Sequence, residues 1–123
     1  VFADPDAITQ VIYNLVDNAV KFAYQDSVIT VLLYKNSGKA YVSVKDRGDT
    51  VPESDLPFIF DRFHKSDRSR SMDKDGVGLG LYLVKTIINS HDEDIAVTSR
   101  DGITEFVFTL ALSQNSKQKK TSD

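Results

Sequence analysis

Apolar residues recur at helical spacing near the start of the chain. Ile8, Val11, Ile12, Leu15, Val16, Ala19 and Val20 form one stripe. Asp4-Pro5-Asp6 precedes it, with Asp4 suited to the N-cap, Pro5 to the first helical position and Asp6 to the first turn. The pattern predicts a helix running to about Ala23. A second helical run places Leu79, Leu83, Val84, Ile87 and Ile88 on one face and Tyr82, Lys85, Thr86 and Asn89 on the other, and should end near His91. Between these helices, Ser27 to Tyr34 is rich in β-branched residues and Ala40 to Lys45 alternates, with Asn36-Ser37-Gly38-Lys39 as the turn of an antiparallel hairpin. Asp94 to Ser99 and Thr104 to Leu112, joined by Arg100-Asp101-Gly102, predict a second hairpin.

The remaining segments lack such periods. Pro52 to Phe60 reads as a short helix, and Phe58, Phe60 and Phe63 make an aromatic cluster around Asp61-Arg62. His64 to Asp75 is polar and carries Lys65, Arg68, Arg70 and Lys74; loops of this length are commonly lids, binding loops or disordered. Val1-Phe2-Ala3 reads as strand, and a chain opening on Val1 rather than Met is expected to be N-terminally truncated. The order is strand, helix, hairpin, short helix, lid, helix, hairpin. It predicts an α/β (α+β) two-layer sandwich, with a mixed, mostly antiparallel sheet and helices packed on one face.

Composition narrows the class. The 123 residues suffice for one domain, expected over residues 1–112, with 113–123 as a disordered tail or linker. Fifteen basic residues against eighteen acidic ones argue against a nucleic-acid surface, which would usually be basic. No cysteine is present, so disulfides and thiolate sites are excluded. No apolar run approaches membrane-spanning length.

Candidate chemistry sits on the polar side of the first helix. At about 100° per residue, Asn14, Asn18 and Lys21 fall within an arc of about 60°, bordered by Asp17 and roughly 140° from the centre of the apolar stripe. Most such faces are simply solvated. Asparagine, however, is a poor residue for a helix interior, and two of them one turn apart suggest a role. A carboxamide oxygen can ligate a hard cation such as Mg²⁺, and a lysine can meet phosphate oxygens. After the first hairpin comes Asp46-Arg47-Gly48-Asp49-Thr50-Val51-Pro52, which is either an ordinary strand-end loop or a carboxylate held at a sheet edge to accept an amine. Gly76-Val77-Gly78-Leu79-Gly80-Leu81 runs into the second helix. Glycines before a helix are more often a hinge, but they can also bring backbone N–H groups and a helix N-terminus to a phosphate. The run is not a dinucleotide fingerprint, because no strand directly precedes it and Leu81 stands at the third glycine; no Gly-Lys-Ser/Thr follows, which excludes a P-loop. His64 and His91 are far apart and better read as surface or helix-end residues than as zinc ligands.

In order, the blocks are Asn14-Leu-Val-Asp-Asn18-Ala-Val-Lys21-Phe22, Asp46-x-Gly48, Phe58-Ile-Phe60-Asp-Arg-Phe63 and Gly76-Val-Gly78-Leu-Gly80-Leu81. Together they resemble the N, G1, F and G2 boxes of the catalytic ATP-binding domain of sensor histidine kinases, in the GHKL superfamily that also holds gyrase-type and chaperone ATPases. The opening Val1 to Val11 and the closing Thr104-Glu-Phe106 fit as well. The resemblance implies a GHKL-type fold, ATP and Mg²⁺ as cofactors, and transfer of the γ-phosphoryl group to a histidine. Asn18 would coordinate Mg²⁺, and Asn14 and Lys21 would lie near the phosphates. Asp46 would receive the adenine amine, with Gly48 allowing close approach and Thr50 and Val51 following in the same pocket. Phe60 and Phe63 would anchor the lid, and Arg62, Lys65 or Arg70 would contact phosphate. Gly76, Gly78 and Gly80 would offer backbone amides, with Val77, Leu79 and Leu81 completing that segment. The implied partners are the dimerisation domain of the same protein, which carries the phosphoaccepting histidine, and a response regulator, with neither nucleic acid nor direct membrane contact. The implied setting is a cytoplasmic domain, one that can belong to a membrane-anchored sensor.

Four departures accompany the resemblance. Thr50 stands at the second glycine of the G1 box, where a side chain could crowd the base or forbid a positive φ. Asp92-Glu93 replaces a Gly-Gly pair, which should cost the second helix its usual C-cap. The family's domain has further strand and helix before Val1, so a sheet edge should be missing or supplied by residues beyond these. Neither His64 nor His91 lies in a phosphoacceptor box, so the chain alone should not phosphorylate itself. Two other readings remain: a degenerate nucleotide-fold module that only binds partners, and a related serine kinase or ATPase. The latter would need a general-base glutamate where this chain has Asn14.

Overall fold

A computed structural model describes residues 3–61 and 80–112. Helix α1 spans Pro5–Phe22, and the Asp4 side chain caps it by accepting from the backbone N–H of Asp6 and Ala7. Strands β1 (Thr30–Asn36) and β2 (Lys39–Arg47) form the first hairpin. A short 3₁₀ turn covers Leu56–Phe58, and helix α2 covers Gly80–Ser90. Strands β3 (Ile95–Arg100) and β4 (Ile103–Ala111) form the second hairpin. The four strands make one sheet in the order β1-β2-β4-β3, and every described pairing is antiparallel. Both hairpins turn through left-handed pairs, Ser37-Gly38 and Asp101-Gly102, whose twist suits antiparallel neighbours.

The core lies between one face of the sheet and the two helices. Val11, Leu15 and Ala19 of α1 and Val84 and Ile88 of α2 meet Ala40, Val42 and Val44 of β2 and Phe106, Phe108 and Leu110 of β4. The two apolar stripes are narrower than the sequence suggests. Val20 is 62% exposed and Leu83 43% exposed, while Leu81 packs against the core. Leu83 precedes Val84 by one residue, about 100° round the helix, and so turns away from the sheet. Pro52 to Phe60 is not a helix of any length: only the 3₁₀ turn forms, and Pro57 within it lacks the N–H that a continuing helix would need. Strand β1 is the edge of the sheet among the described residues, and Leu33, although in register with Val42, is 74% exposed. The strand expected at Val1-Phe2 and the tail at 113–123 fall outside the described residues.

The C-terminus of α2 corrects one expectation. The Asp92-Glu93 pair does not cost the helix its cap. Asp92 takes the left-handed conformation at φ 57°, its N–H donates to the Asn89 carbonyl, and the Glu93 N–H donates to the Ile88 carbonyl. This is a Schellman ending with aspartate in the glycine place, and short polar side chains tolerate that conformation best after glycine. Asp92→Gly should therefore stabilise the fold, by a net 0.5–1 kcal/mol or about that after the looser unfolded chain is allowed for. Urea denaturation measures this directly.

Glu93 has a second role. Its buried carboxylate accepts two hydrogen bonds from Lys39 Nζ, at 2.7 and 2.8 Å, and one from Thr109 Oγ1 at 2.7 Å. Burial pushes this carboxyl up, but the hydrogen bonds from Lys39 and Thr109 and the Lys39 charge outweigh it, so the group titrates below its ordinary value. A carboxyl depressed in the fold adds stability above its unfolded value and loses it as pH falls through the folded one. Glu93→Gln should cost about 1–2 kcal/mol at pH 7. That cost should shrink as the pH is lowered through and below the ordinary carboxylate range, where Glu93 itself takes up a proton.

Candidate active site

Three segments meet along α1: its own polar side, the loop after β2 at its C-terminal end, and the start of α2 as described at its middle turns. Asn14 links the first to the third, since its Nδ2 donates to the Gly80 carbonyl at 3.4 Å while its Oδ1 accepts from Gln10 at 3.0 Å. One turn on, Asn18 is half-buried, and among the described residues its carboxamide has no partner. Lys21 is exposed and sits 3.4 Å from Asp17, an i,i+4 surface pair of small energetic weight. The predicted polar arc thus flanks a helix whose opposite face is core.

Asp46 is placed differently from the expected sheet edge. It pairs with Thr104 in a central strand, on the same face as Ala40, Val42 and Val44, and is only 3% exposed. Pairing of β2 with β4 continues to Arg47 and Ile103, which carries the carboxylate under the helical layer. Its Oδ1 is sealed from solvent.

The loop after Asp46 is fastened on both sides. Gly48 bridges to Ala23, and the Tyr24 N–H donates to the Arg47 carbonyl at 2.8 Å. A Cβ at Gly48 would lie 2.3 Å from the Phe22 carbonyl oxygen, so the chain's own backbone requires glycine there. Tyr24 Oη donates to Asp49 Oδ1 at 2.7 Å, and that bond holds the phenol above its ordinary value. On the other side, the Gly48 N–H donates to the Gly102 carbonyl at 2.8 Å, and the Gly102 N–H donates to Thr50 Oγ1 at 2.7 Å. The Val51 N–H donates to Ser99 Oγ at 2.8 Å, and Ser99 bonds Thr104 in turn. Thr50 is not among the residues with positive φ, so its side chain meets no backbone conflict. Val51 is buried and holds the loop down from within.

Phe60 packs edge-on against Phe106 at 5.9 Å, with the Lys85 ammonium 5.7 Å from its ring centroid. Phe58 is half-exposed, so the aromatic cluster is not one buried unit among the described residues. Gly80 contrasts with Gly48: among the described residues a Cβ there would meet nothing within 4 Å, and its φ is not positive. Arg62, Phe63, His64, Lys65, Arg70, Gly76, Val77, Gly78 and Leu79 lie outside the described residues. His91 is a helix-end residue as expected: Nδ1 faces the Ile87 carbonyl at 2.9 Å and Nε2 accepts from the Asp4 N–H at 3.1 Å. The sequence reading missed Ser99, Gly102 and the hydroxyl of Thr104 as supports of the loop. Their sole local signal was a pair of hydroxyls flanking a hairpin turn.

The sequence and the fold are similar to those of known proteins. The sequence profile described as "Histidine kinase-, DNA gyrase B-, and HSP90-like ATPase" matches residues 3–114. The chain is 37% identical over 110 residues to sensor histidine kinase WalK of Bacillus subtilis, covering 87% of this chain and 18% of WalK. The chain therefore spans about a fifth of the length of such curated relatives. Among solved structures, the mycobacterial sensor histidine kinase MprB superposes with a TM-score of 0.82 at 27% identity, covering 90% of this chain and 76% of that one. The catalytic domain of histidine kinase ThkA superposes at 0.76 and 30% identity, covering 89% and 69%. The chain belongs to the family of histidine kinase-, DNA gyrase B- and HSP90-like ATPases, as a histidine-kinase catalytic domain.

Proposed function

We propose that this domain binds Mg-ATP between α1, the end of β2 and the start of α2, and donates the γ-phosphoryl group to a histidine on a separate dimerisation domain of the same protein, for relay to a response regulator. The observation that carries the proposal is the Asn14–Gly80 hydrogen bond, which joins the polar arc of α1 to the start of α2, while the same helix ends against the loop that follows the buried Asp46. Asp46 would accept the adenine amine, Lys21 would approach the phosphates, and Gly80 would leave room for them. Asn18 fits a Mg²⁺ ligand, because its carboxamide oxygen is not engaged by any described residue. Mg²⁺ usually keeps waters and phosphate oxygens around only one or two protein ligands. Among the described residues no trio of His, Cys, Asp or Glu could hold a metal by itself, so the cation would arrive with the nucleotide. Bound there, it would offset the charge of the phosphates.

In the transfer, the imidazole nitrogen bonds to the γ-phosphorus as the bond to the bridging oxygen breaks and ADP leaves. The protein's share is positioning and charge stabilisation. Asn14 is a carboxamide and cannot take a proton from water, which disfavours hydrolysis and spares the phosphoryl group for histidine. Thr50 and Asp92-Glu93, the departures that would favour a degenerate module, are both accommodated in the fold. Arg62, Lys65 and Arg70 remain candidate phosphate contacts. The proposed setting is cytoplasmic; among the described residues no helix is long and apolar enough to cross a membrane.

Calorimetry of Mg-ATP binding tests the reading. Asn18→Ala and omission of magnesium should each weaken binding by about tenfold or more, the size of one lost strong polar contact. A folded chain whose ATP affinity ignores both would overturn it.

A further inference from the structure

Thr50 stands where the resemblance leads one to expect glycine, yet its hydroxyl is engaged. Both backbone polar groups of Gly102 are taken by the loop after β2: the carbonyl by the Gly48 N–H, and the N–H by Thr50 Oγ1. Gly102 has φ +82°, and a Cβ on it would come within 3.2 Å of the Gly48 carbonyl oxygen, so the two segments are in close contact. The Gly48 N–H holds one end of the loop and the Val51 N–H, on Ser99, holds the other. The Thr50 hydroxyl supplies the middle fastening. A glycine at this position has no acceptor to offer the Gly102 N–H, which would then turn to solvent and leave the two segments unjoined at this point.

We infer that Thr50 is a positioning residue: its hydroxyl clamps the loop that follows Asp46 to the β3–β4 turn and so pre-organises the base-binding side of the nucleotide site. The inference rests on the nucleotide-binding reading above. Rigidity in the bound conformation raises affinity by lowering the ordering cost of binding. The hydroxyl therefore takes over by hydrogen bonding a constraint that a glycine at 50 could not make.

The test compares Thr50→Val, Thr50→Gly and Thr50→Ser with wild type. Dissociation constants for Mg-ATP and Mg-ADP are measured by calorimetry, and exchange of the Gly102 amide is followed by NMR. Glu93→Gln serves as a destabilised control: Glu93 bonds Lys39, at the opposite end of β2 from Asp46. Val and Gly variants should lose about fivefold or more in affinity for both nucleotides and should exchange the Gly102 amide faster. The Ser variant should stay within about twofold of wild type, and the control should keep its affinity despite its lower stability. Should the Val variant fail to fold, the Gly variant carries the same comparison. Unchanged affinity in the Val or Gly variant, with wild type binding normally, overturns this inference alone. Equal losses in the Ser variant also overturn it, since the hydroxyl is retained there. A folded wild-type chain that binds neither nucleotide overturns both this inference and the reading on which it rests.

Discussion

Asp46→Asn is expected to lower affinity for ATP and ADP alike by about 30–100-fold, with or without magnesium. The carboxylate is buried on the helix-facing side of a central strand. An ionised acceptor in such a place makes a charge-assisted bond to an amine, worth about 2–3 kcal/mol. Asparagine keeps the shape but loses the charge and one of the two acceptor oxygens, so it receives the amine more weakly. Because the base is common to both nucleotides, the loss should not depend on the γ-phosphate. That separates it from Asn18→Ala, whose effect should vanish when magnesium is withheld. Calorimetry with both nucleotides checks the result, and a melting curve shows that the variant is folded. Affinity within twofold of wild type would remove Asp46 from the base-binding role.

Gly48→Ala is expected to be the most destabilising substitution among the described glycines. The new Cβ would sit 2.3 Å from the Phe22 carbonyl oxygen and 3.3 Å from its carbon, so the end of α1 must separate from β2. The bridge to Ala23 and the bond from the Tyr24 N–H to Arg47 lie in the same contact and would be strained with it. Overpacking against rigid backbone costs about 3 kcal/mol, which in a domain of this size lowers Tm by more than about 10 °C. Gly80→Ala supplies the opposite case. No described residue lies within 4 Å of its added Cβ, and alanine favours a helix by up to about 1 kcal/mol over glycine. Stability should hold or rise in that variant, while Mg-ATP binding should weaken if the space above Gly80 is where phosphates lie. Equal stability of Gly48→Ala and wild type in urea denaturation would show that the junction of α1 and β2 yields without cost.

The two positions illustrate what a sequence conceals. Both glycines sit in boxes of the family resemblance, and in the chain they look alike. Only the structure shows that Gly48 is demanded by the protein's own backbone, whereas no described residue demands Gly80. Thr50 and Asp92 carry the same lesson in reverse. Each reads as a defect against the family pattern. Thr50 proves to be a hydrogen-bond acceptor across fifty-two positions of chain, and Asp92 adopts the left-handed angle of the glycine it replaces.

The sequence by itself determined what depends on neighbours in the chain. The start of α1 at Asp4-Pro5, the polar arc of Asn14, Asn18 and Lys21, and the two hairpin turns were all legible, because caps, helical periods and turn residues act over a few positions. The ordered boxes also carried the family, since their identity and spacing survive in the linear chain. Tertiary structure alone decided the rest. Strand order β1-β2-β4-β3 put Asp46 in a central strand instead of at an edge, and it left Leu33 of the outer strand exposed. The stripe of α2 was set by which residues meet the sheet, which brought in Leu81 and turned out Leu83. The fastening of the Asp46 loop by Ser99, Gly102 and Thr104 joins residues about fifty positions apart, and no local pattern in the chain encodes which backbone N–H will find which hydroxyl.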